Sequence, residues 1–522
     1  MTDIHIPSFD LTQQGWLPVT LSDPKSPPES WGLREFFARA HEVQGLNESS
    51  PLTYTAVLRM LLAVAHRALA GPESPTEWVT LWSRKSFDPS VFDAYLDRWQ
   101  DRFDLFDPEK PFAQVPRMSS DRFSPAARLY MERSSGNNNL HFDHSTDTQT
   151  PPIDAGEAAR ALLTAQAYAF AGTGGMFMQS PMVAGYSVTF EGSNMFETLM
   201  LNLVWYDESH PTTLTASGDS PWWELEDLSI PNKGFARPRG LTDLYTWRSR
   251  RIHLVPEPDG TVQKVQYEQG WVVKDDSLDL RDPFKRYVES KGSSGKTASF
   301  PTNFTKGKAL WRDSYGLIEG ANRTAGVEST QTNEPPGILT NLSTIENAEE
   351  GVLERLLPNI VATGLVNNQA RIDLWRMDRM RLPLRLLVAE EIQLAVHDAI
   401  AAAESGARIL GMVGKRFCEV ALSGDADDVS QIQNQLQLRE RFWARLDRDF
   451  QGFMGKLGDD KPDLEAVLGE WIDLIKTLIR SVFVLATNTV TGHRWYEAQV
   501  RVAWMLDNLV KKQWPAQDRV SA

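Results

Sequence analysis

The stretch Pro462-Asp-Leu464-Glu-Ala-Val467-Leu468-Gly-Glu-Trp471-Ile-Asp-Leu474-Ile475-Lys-Thr-Leu478-Ile479-Arg-Ser-Val482 decides the architecture of this 522-residue chain. Its numbered apolar residues recur at helical spacing and trace one face of an α-helix. Helical patterns also run over 386–403, 429–457 and 493–512, after a change of texture at Pro383. Four amphipathic helices with short or moderate connections bury their stripes most economically as a four-helix bundle. Residues 406–422, between the first two, are less regular. The expected fold class is α+β: a large mixed α/β N-terminal domain over 1–383, then a C-terminal four-helix bundle over 384–522.

Upstream the pattern is mixed. Ser50 caps a predicted helix with Pro51 in its first turn and Leu58, Leu61, Leu62, Ala65 and Leu69 at helical spacing. A second amphipathic helix is predicted over 88–103, capped by Asp88. Residues 11–21 read as a short strand with a turn before it, and 134–150 as a long polar loop. Residues 184–360 read as strands and loops, with 290–303 a Gly/Ser/Lys/Thr-rich loop.

Composition excludes several classes. Hydrophobic residues make up 41% and charged residues 24%, as in ordinary globular proteins. The lone Cys418 rules out an internal disulfide framework and any cysteine-rich zinc site, and fits a reducing cytoplasm. No signal-peptide pattern opens the chain, and no apolar run of about 18 residues is read, so no membrane span is expected. A net charge of −15 argues against nonspecific coating of nucleic acid but leaves local patches free to contact phosphate. Two basic strips stand out. One holds Lys233, Arg237, Arg239, Arg248, Arg250 and Arg251 against Asp243; the other has five arginines between Arg371 and Arg385. Each reads about equally as a phosphate-contacting patch or as a solvated face or ion-pair network. The 17 tryptophans read mostly as core fillers and loop anchors.

Gly172-Thr173-Gly174-Gly175 follows a predicted helix ending at Phe170. Phosphate-binding loops precede a helix, where free N–H groups face the anion. A loop after a helix meets carbonyls instead, and its glycines offer bare main chain for close approach by something large and flat. Gly295-Lys296-Thr297 mimics the end of a Walker loop, but Ser290 stands where the first glycine belongs. The best catalytic candidate is His141-Phe-Asp143-His144, with Asp147 nearby, whose donors suit a divalent metal. A metal-dependent phosphohydrolase is therefore the alternative reading, although a contact role fits the sparse histidines better. Asn367-Asn368-Gln369 sits between an apolar Gly-containing run and Arg371, as at a hairpin tip. Planar amides carry donors and acceptors and are able to enter a base stack.

Together these pieces resemble the large-subunit (CasA) family of type I-E CRISPR Cascade surveillance complexes. The matching segments run in order: Gly15-Trp16-Leu17-Pro18-Val19, the Leu58–His66 helix, Phe103 to Phe112, the loop ending His141-Phe142-Asp143-His144 and the glycine loop. They continue with Phe196 to Leu203, Pro221-Trp222-Trp223, Arg237 to Gly240, Trp247 to Arg251, Asn367-Asn-Gln369 and the terminal bundle. The resemblance implies a non-catalytic cytoplasmic subunit without cofactor or metal. It would read the protospacer-adjacent motif (PAM) of double-stranded DNA from the minor groove, start strand separation and help recruit the helicase-nuclease in antiviral defence.

By the same resemblance, Gly172 and Gly175 would approach the minor groove and Lys274 would be a lysine finger. Gln369 would be a wedge, with Asn367 and Asn368 beside it. Phe142 and His144 would dock at the guide RNA 5′ handle. The bundle would contact the small-subunit dimer among the other Cascade subunits, and Arg439, Arg441, Arg445 and Arg448 would line the displaced strand. Some relatives carry zinc-binding cysteine pairs; with one cysteine this chain has none.

Overall fold

The computed structural model describes residues 7–118, 121–130, 151–170, 179–206, 218–274, 280–291, 297–318, 333–368, 371–422 and 426–515. The chain divides into two compact units. The first comprises residues 1–306, 320–353 and 358–379; the second comprises 307–319, 354–357 and 380–522. The second unit thus takes in two segments from well before residue 384.

Four long helical segments build the second unit. Glu390–Leu422 runs for 33 residues, straight through the stretch that looked irregular. Glycines caused that impression, yet they serve close packing. A Cβ at Gly406 would meet Phe442, Ile475 and Ile479 at 3.0–3.1 Å, and one at Gly414 would meet Leu438 at 2.7 Å. The second segment is broken into Ala426–Leu436 and Leu438–Leu457 by Gln437, at φ 49°. Leu464–Thr487 starts at Asp463, whose carboxylate accepts from the Ala466 N–H at 3.0 Å. His493–Gln513 completes the set, and Glu390–Leu422 packs against the other three. Of the face read from sequence, Trp471, Ile475, Leu478, Ile479 and Val482 are buried, whereas Leu464, Val467, Leu468 and Leu474 are half-buried.

The borrowed segment 307–319 contributes Trp311. Its ring stacks on Phe450 at 4.3 Å and lies near Trp443 and Trp471, and its indole N–H donates to Asp447 at 2.6 Å. Next to it, Arg312 pairs with Glu404 and lies 3.8 Å from the Trp443 ring.

The first unit is organised around Pro51–Leu69. Ser50 accepts from the Thr53 N–H and Pro51 opens the first turn, as expected. This helix is long and apolar enough to cross a membrane, contrary to the sequence reading. Here 83% of its apolar window is buried in the protein, as befits a core helix. Pro89–Trp99, capped by Asp88, is shorter than expected because the chain tightens into a 3₁₀ turn at Gln100–Arg102. The region 184–360 contains more helix than its texture indicated, notably Met195–Asn202 and Gly337–Ala348. Within 290–303, Tyr287–Lys291 and Thr297–Pro301 pair as antiparallel strands. Sheets are small, of two or three strands each. Trp16, Phe103, Phe112, Trp222 and Trp223 form a contiguous aromatic core, so these tryptophans are fillers.

His66, on the core helix, meets Tyr206 edge-on at 5.7 Å. Burial pushes its imidazole down to about 4, against a weaker pull from Asp219. An unfolded chain takes up this proton near pH ~6.5. Between those values the unfolded state binds more protons, so stability falls as the pH falls. The expected loss reaches roughly 3 kcal/mol by pH ~4. It is measured as a decline of the urea midpoint that His66→Phe flattens; an acid slope unchanged in that variant would remove His66 as its source.

Candidate nucleic-acid interface

Of the sequence-predicted residues, Gly172, Gly175, Gln369, Phe142 and His144 lie outside the described residues. Lys274 and the backbone of Asn367 and Asn368 lie within them. The site is therefore built from the elements that lead into it.

The helix before the glycine cluster is Ala155–Tyr168, two residues shorter at its end than the pattern extended, and capped by Asp154. Ala169 turns to extended backbone. On the far side of the cluster the chain returns alongside: the Ser180 N–H donates to the Ala169 carbonyl at 2.8 Å and Met182 N–H to Ala167 at 3.1 Å. Side chains tie this neck from below. Gln166 exchanges bonds with the Arg250 backbone, accepting from its N–H at 2.8 Å and donating to its carbonyl at 2.9 Å. The Ser249 hydroxyl lies 2.6 Å from that of Ser180 and donates to the Gln166 carbonyl. Fully buried Arg250 donates to the Phe170 carbonyl at 2.9 Å, immediately before the cluster. Lys285, also buried, donates to Pro181 and Ala184 carbonyls, both at 2.7 Å. Burial pulls the Lys285 ammonium down to about 8, with Asp282 opposing.

The amide-bearing segment belongs to a three-stranded sheet. Asn359–Asn368 lies between Arg371–Arg381 and Ser187–Glu191. A two-residue connection between the first two strands permits only antiparallel pairing. Thr363 sits opposite Ser187 and pairing is antiparallel, so the run from Thr363 to Asn368 follows the chain back towards residues 182–186. At Gly364 that approach is tight: a Cβ would lie 2.9 Å from the Tyr186 main chain. One apolar cluster then supports both elements. Tyr168, Ala169, Met182 and Val183 of the glycine-loop neck pack with Leu365, and Phe170 and Trp375 flank them with ring centroids 6.3 Å apart.

Lys274 is exposed at the end of Trp271–Val273, which pairs in parallel with Gly234–Ala236. Its N–H donates to the Ala236 carbonyl at 3.0 Å. This strand leaves from the same knot, since Gly270 N–H donates to Ser249 and the Gln269 amide bonds both Arg250 and Ser249. The structure thus brings the glycine-loop neck and the amide strand onto one cluster, and starts the Lys274 strand from the network beneath them.

Much of the basic character is used internally. Arg248 and Arg250 are core residues, Arg251 pairs with Glu268 and Arg239 with Asp243. In the second strip Arg376 pairs with Asp378 and Arg379 with Glu191. Sequence reasoning missed Gln166, Ser249, Arg250 and Lys285. Arg248 and Arg250 stand in a strip read as a phosphate patch, a solvated face or an ion-pair network, and only the alternation of a strand starting at Arg250 would have turned one inward. The 141–144 metal reading falls outside the described residues, and among the described residues no group of three or more His, Cys, Asp or Glu side chains is placed to hold a metal ion.

Comparison with known proteins bears on this arrangement. The model of the family described as CRISPR-associated protein Cse1 matches residues 10–482. A curated relative from Thermus thermophilus, CRISPR-associated protein CasA/Cse1, is 30% identical over 491 residues, covering 90% of each chain. Among solved structures, Thermobifida fusca Cse1 superposes with a TM-score of 0.81 at 24% identity over 98% of each chain. A chain from a structure described as a CRISPR RNA-guided surveillance complex gives 0.73 at 24% identity, over 96% of this chain and 100% of that one.

Proposed function

The chain belongs to the CRISPR-associated Cse1 family, and from that premise we propose that it is the non-catalytic large subunit of a cytoplasmic RNA-guided DNA surveillance complex. It reads the PAM of a DNA duplex from the minor-groove side and begins strand separation. The observation that carries this reading is the shared apolar cluster beneath the glycine-loop neck and the amide strand. A duplex reader that also opens its target needs a close-approach surface and a wedge on one rigid support. Gly172 and Gly175 are the former, Gln369 with Asn367 and Asn368 the latter, and Lys274 adds a cation for phosphate. Minor-groove readout is degenerate, so several related motifs are accepted.

The remaining partners follow the same reading. Phe142 and His144 meet the 5′ handle of the guide RNA. The bundle meets the small-subunit dimer, and its last helix supports a protein contact there, because Tyr496, Val500 and Trp504 are exposed four residues apart. Arg439, Arg441 and Arg448 are exposed and Arg445 half-buried, without an ion pair among the described residues, which suits the displaced strand. The helicase-nuclease joins after opening.

The test is Gln369→Ala in a reconstituted complex. Unstacking a base step costs roughly a few kcal/mol, so losing the wedge is expected to slow target opening by about tenfold or more while assembly stays intact. Opening at the wild-type rate would remove Gln369 from the mechanism.

A further inference from the structure

Two buried cations grip main chain on either side of residues 171–178. Arg250 donates to the Phe170 carbonyl before that segment, and Lys285 bridges the Pro181 and Ala184 carbonyls after it. Both side chains come from far along the sequence, so neither follows from local chain geometry. Burying an ammonium or guanidinium carries a large desolvation cost, and a core that needed only volume would use an apolar side chain there. What a cation adds is a charge-assisted bond, roughly twice as strong as a neutral one and directional. Lys285 is balanced by nearby Asp282, which also binds Arg59 of the core helix at 2.9 Å. The exit side is thereby referenced to the centre of the unit. The entry side is referenced to strand Arg250–Pro256 and to Gln269.

We propose that Arg250 and Lys285 are positioning residues for flank recognition, holding the two ends of the glycine-bearing segment in fixed register. This rests on the function proposed above. Contact made by fit at Gly172 and Gly175 needs the flanking chain set in place, because glycine has no side chain with which to compensate an error.

The experiment uses the assembled complex at one stated salt concentration and compares affinity for duplexes carrying a favoured and a disfavoured flank. Lys285→Met and Arg250→Met remove the clamps, and Ser249→Ala cuts the same neck with a smaller change should either fail to fold. Ile345→Val, in the core of the same unit, controls for general destabilisation. Gly175→Val tests the reading surface itself. The expected result is a fall in the flank-discrimination ratio of about tenfold in the clamp variants, the size of one lost specific contact, with the ratio intact in Ile345→Val. An unchanged ratio in all the clamp variants that fold, while Gly175→Val abolishes it, overturns the positioning role alone. An unchanged ratio in Gly175→Val as well overturns the flank-reading function and this inference with it.

Discussion

Replacing Asp282 with alanine is expected to cost the first unit about 3–5 kcal/mol, because it leaves buried cations without their counter-charge. Arg59 and Asp282 are almost wholly enclosed and meet through two contacts, at 2.9 and 3.1 Å. The Arg59 guanidinium also lies 4.6 Å from the Tyr245 ring centroid, which cannot neutralise it. Burial works to raise the Asp282 carboxyl, but Arg59 and Lys285 outweigh it and hold it below the ordinary carboxylate range. With the folded pKa depressed, the pair's contribution is present above pH ~4 and lost as the pH falls below it. Urea unfolding, followed by hydrogen exchange in Pro51–Leu69, measures the loss. Adding Arg59→Met to Asp282→Ala is expected to restore part of it, since the double variant buries no unmatched guanidinium. A loss under about 1 kcal/mol for Asp282→Ala would mean that water reaches these charges after all.

Trp311→Ala is expected to destabilise the second unit by a similar amount, about 3–5 kcal/mol. The indole is 3% exposed and fills a space bounded by Trp443, Phe450 and Trp471. Truncation removes the stack and leaves a cavity that three rings already fixed by other contacts close poorly. Trp311→Phe keeps most of the stacking and loses the bond to Asp447, so its cost is expected near 1–2 kcal/mol. Limited proteolysis at 307–319, with the melting of the bundle helices, reads both variants. Equal effects for Ala and Phe would place the weight on the hydrogen bond and not on packing.

These two sites also mark where sequence reading succeeds and where it stops. The bundle was legible because helical periodicity is a local property: Trp471, Ile475, Ile479 and Val482 announce their face within a few turns. Gly406 and Gly414 concealed the length of the first helix, since a glycine that admits a neighbouring side chain looks the same in sequence as one that ends a helix. Trp311 could not be assigned to the bundle, because its partners lie more than a hundred residues away. The helix before the glycine cluster was legible from the apolar run that leads into it. The anchors on either side of the cluster were not, because Arg250 and Lys285 are cations inside a protein, where composition leads one to expect them outside.

Those anchors hold oxygen atoms of the main chain, which every amino acid possesses. At Phe170, Pro181 and Ala184 the acceptor is therefore kept whatever side chain the position carries. The two cations and the side chains of the residues they hold are thus separate targets of selection: a change in the latter leaves the bond, and a change in the former removes it.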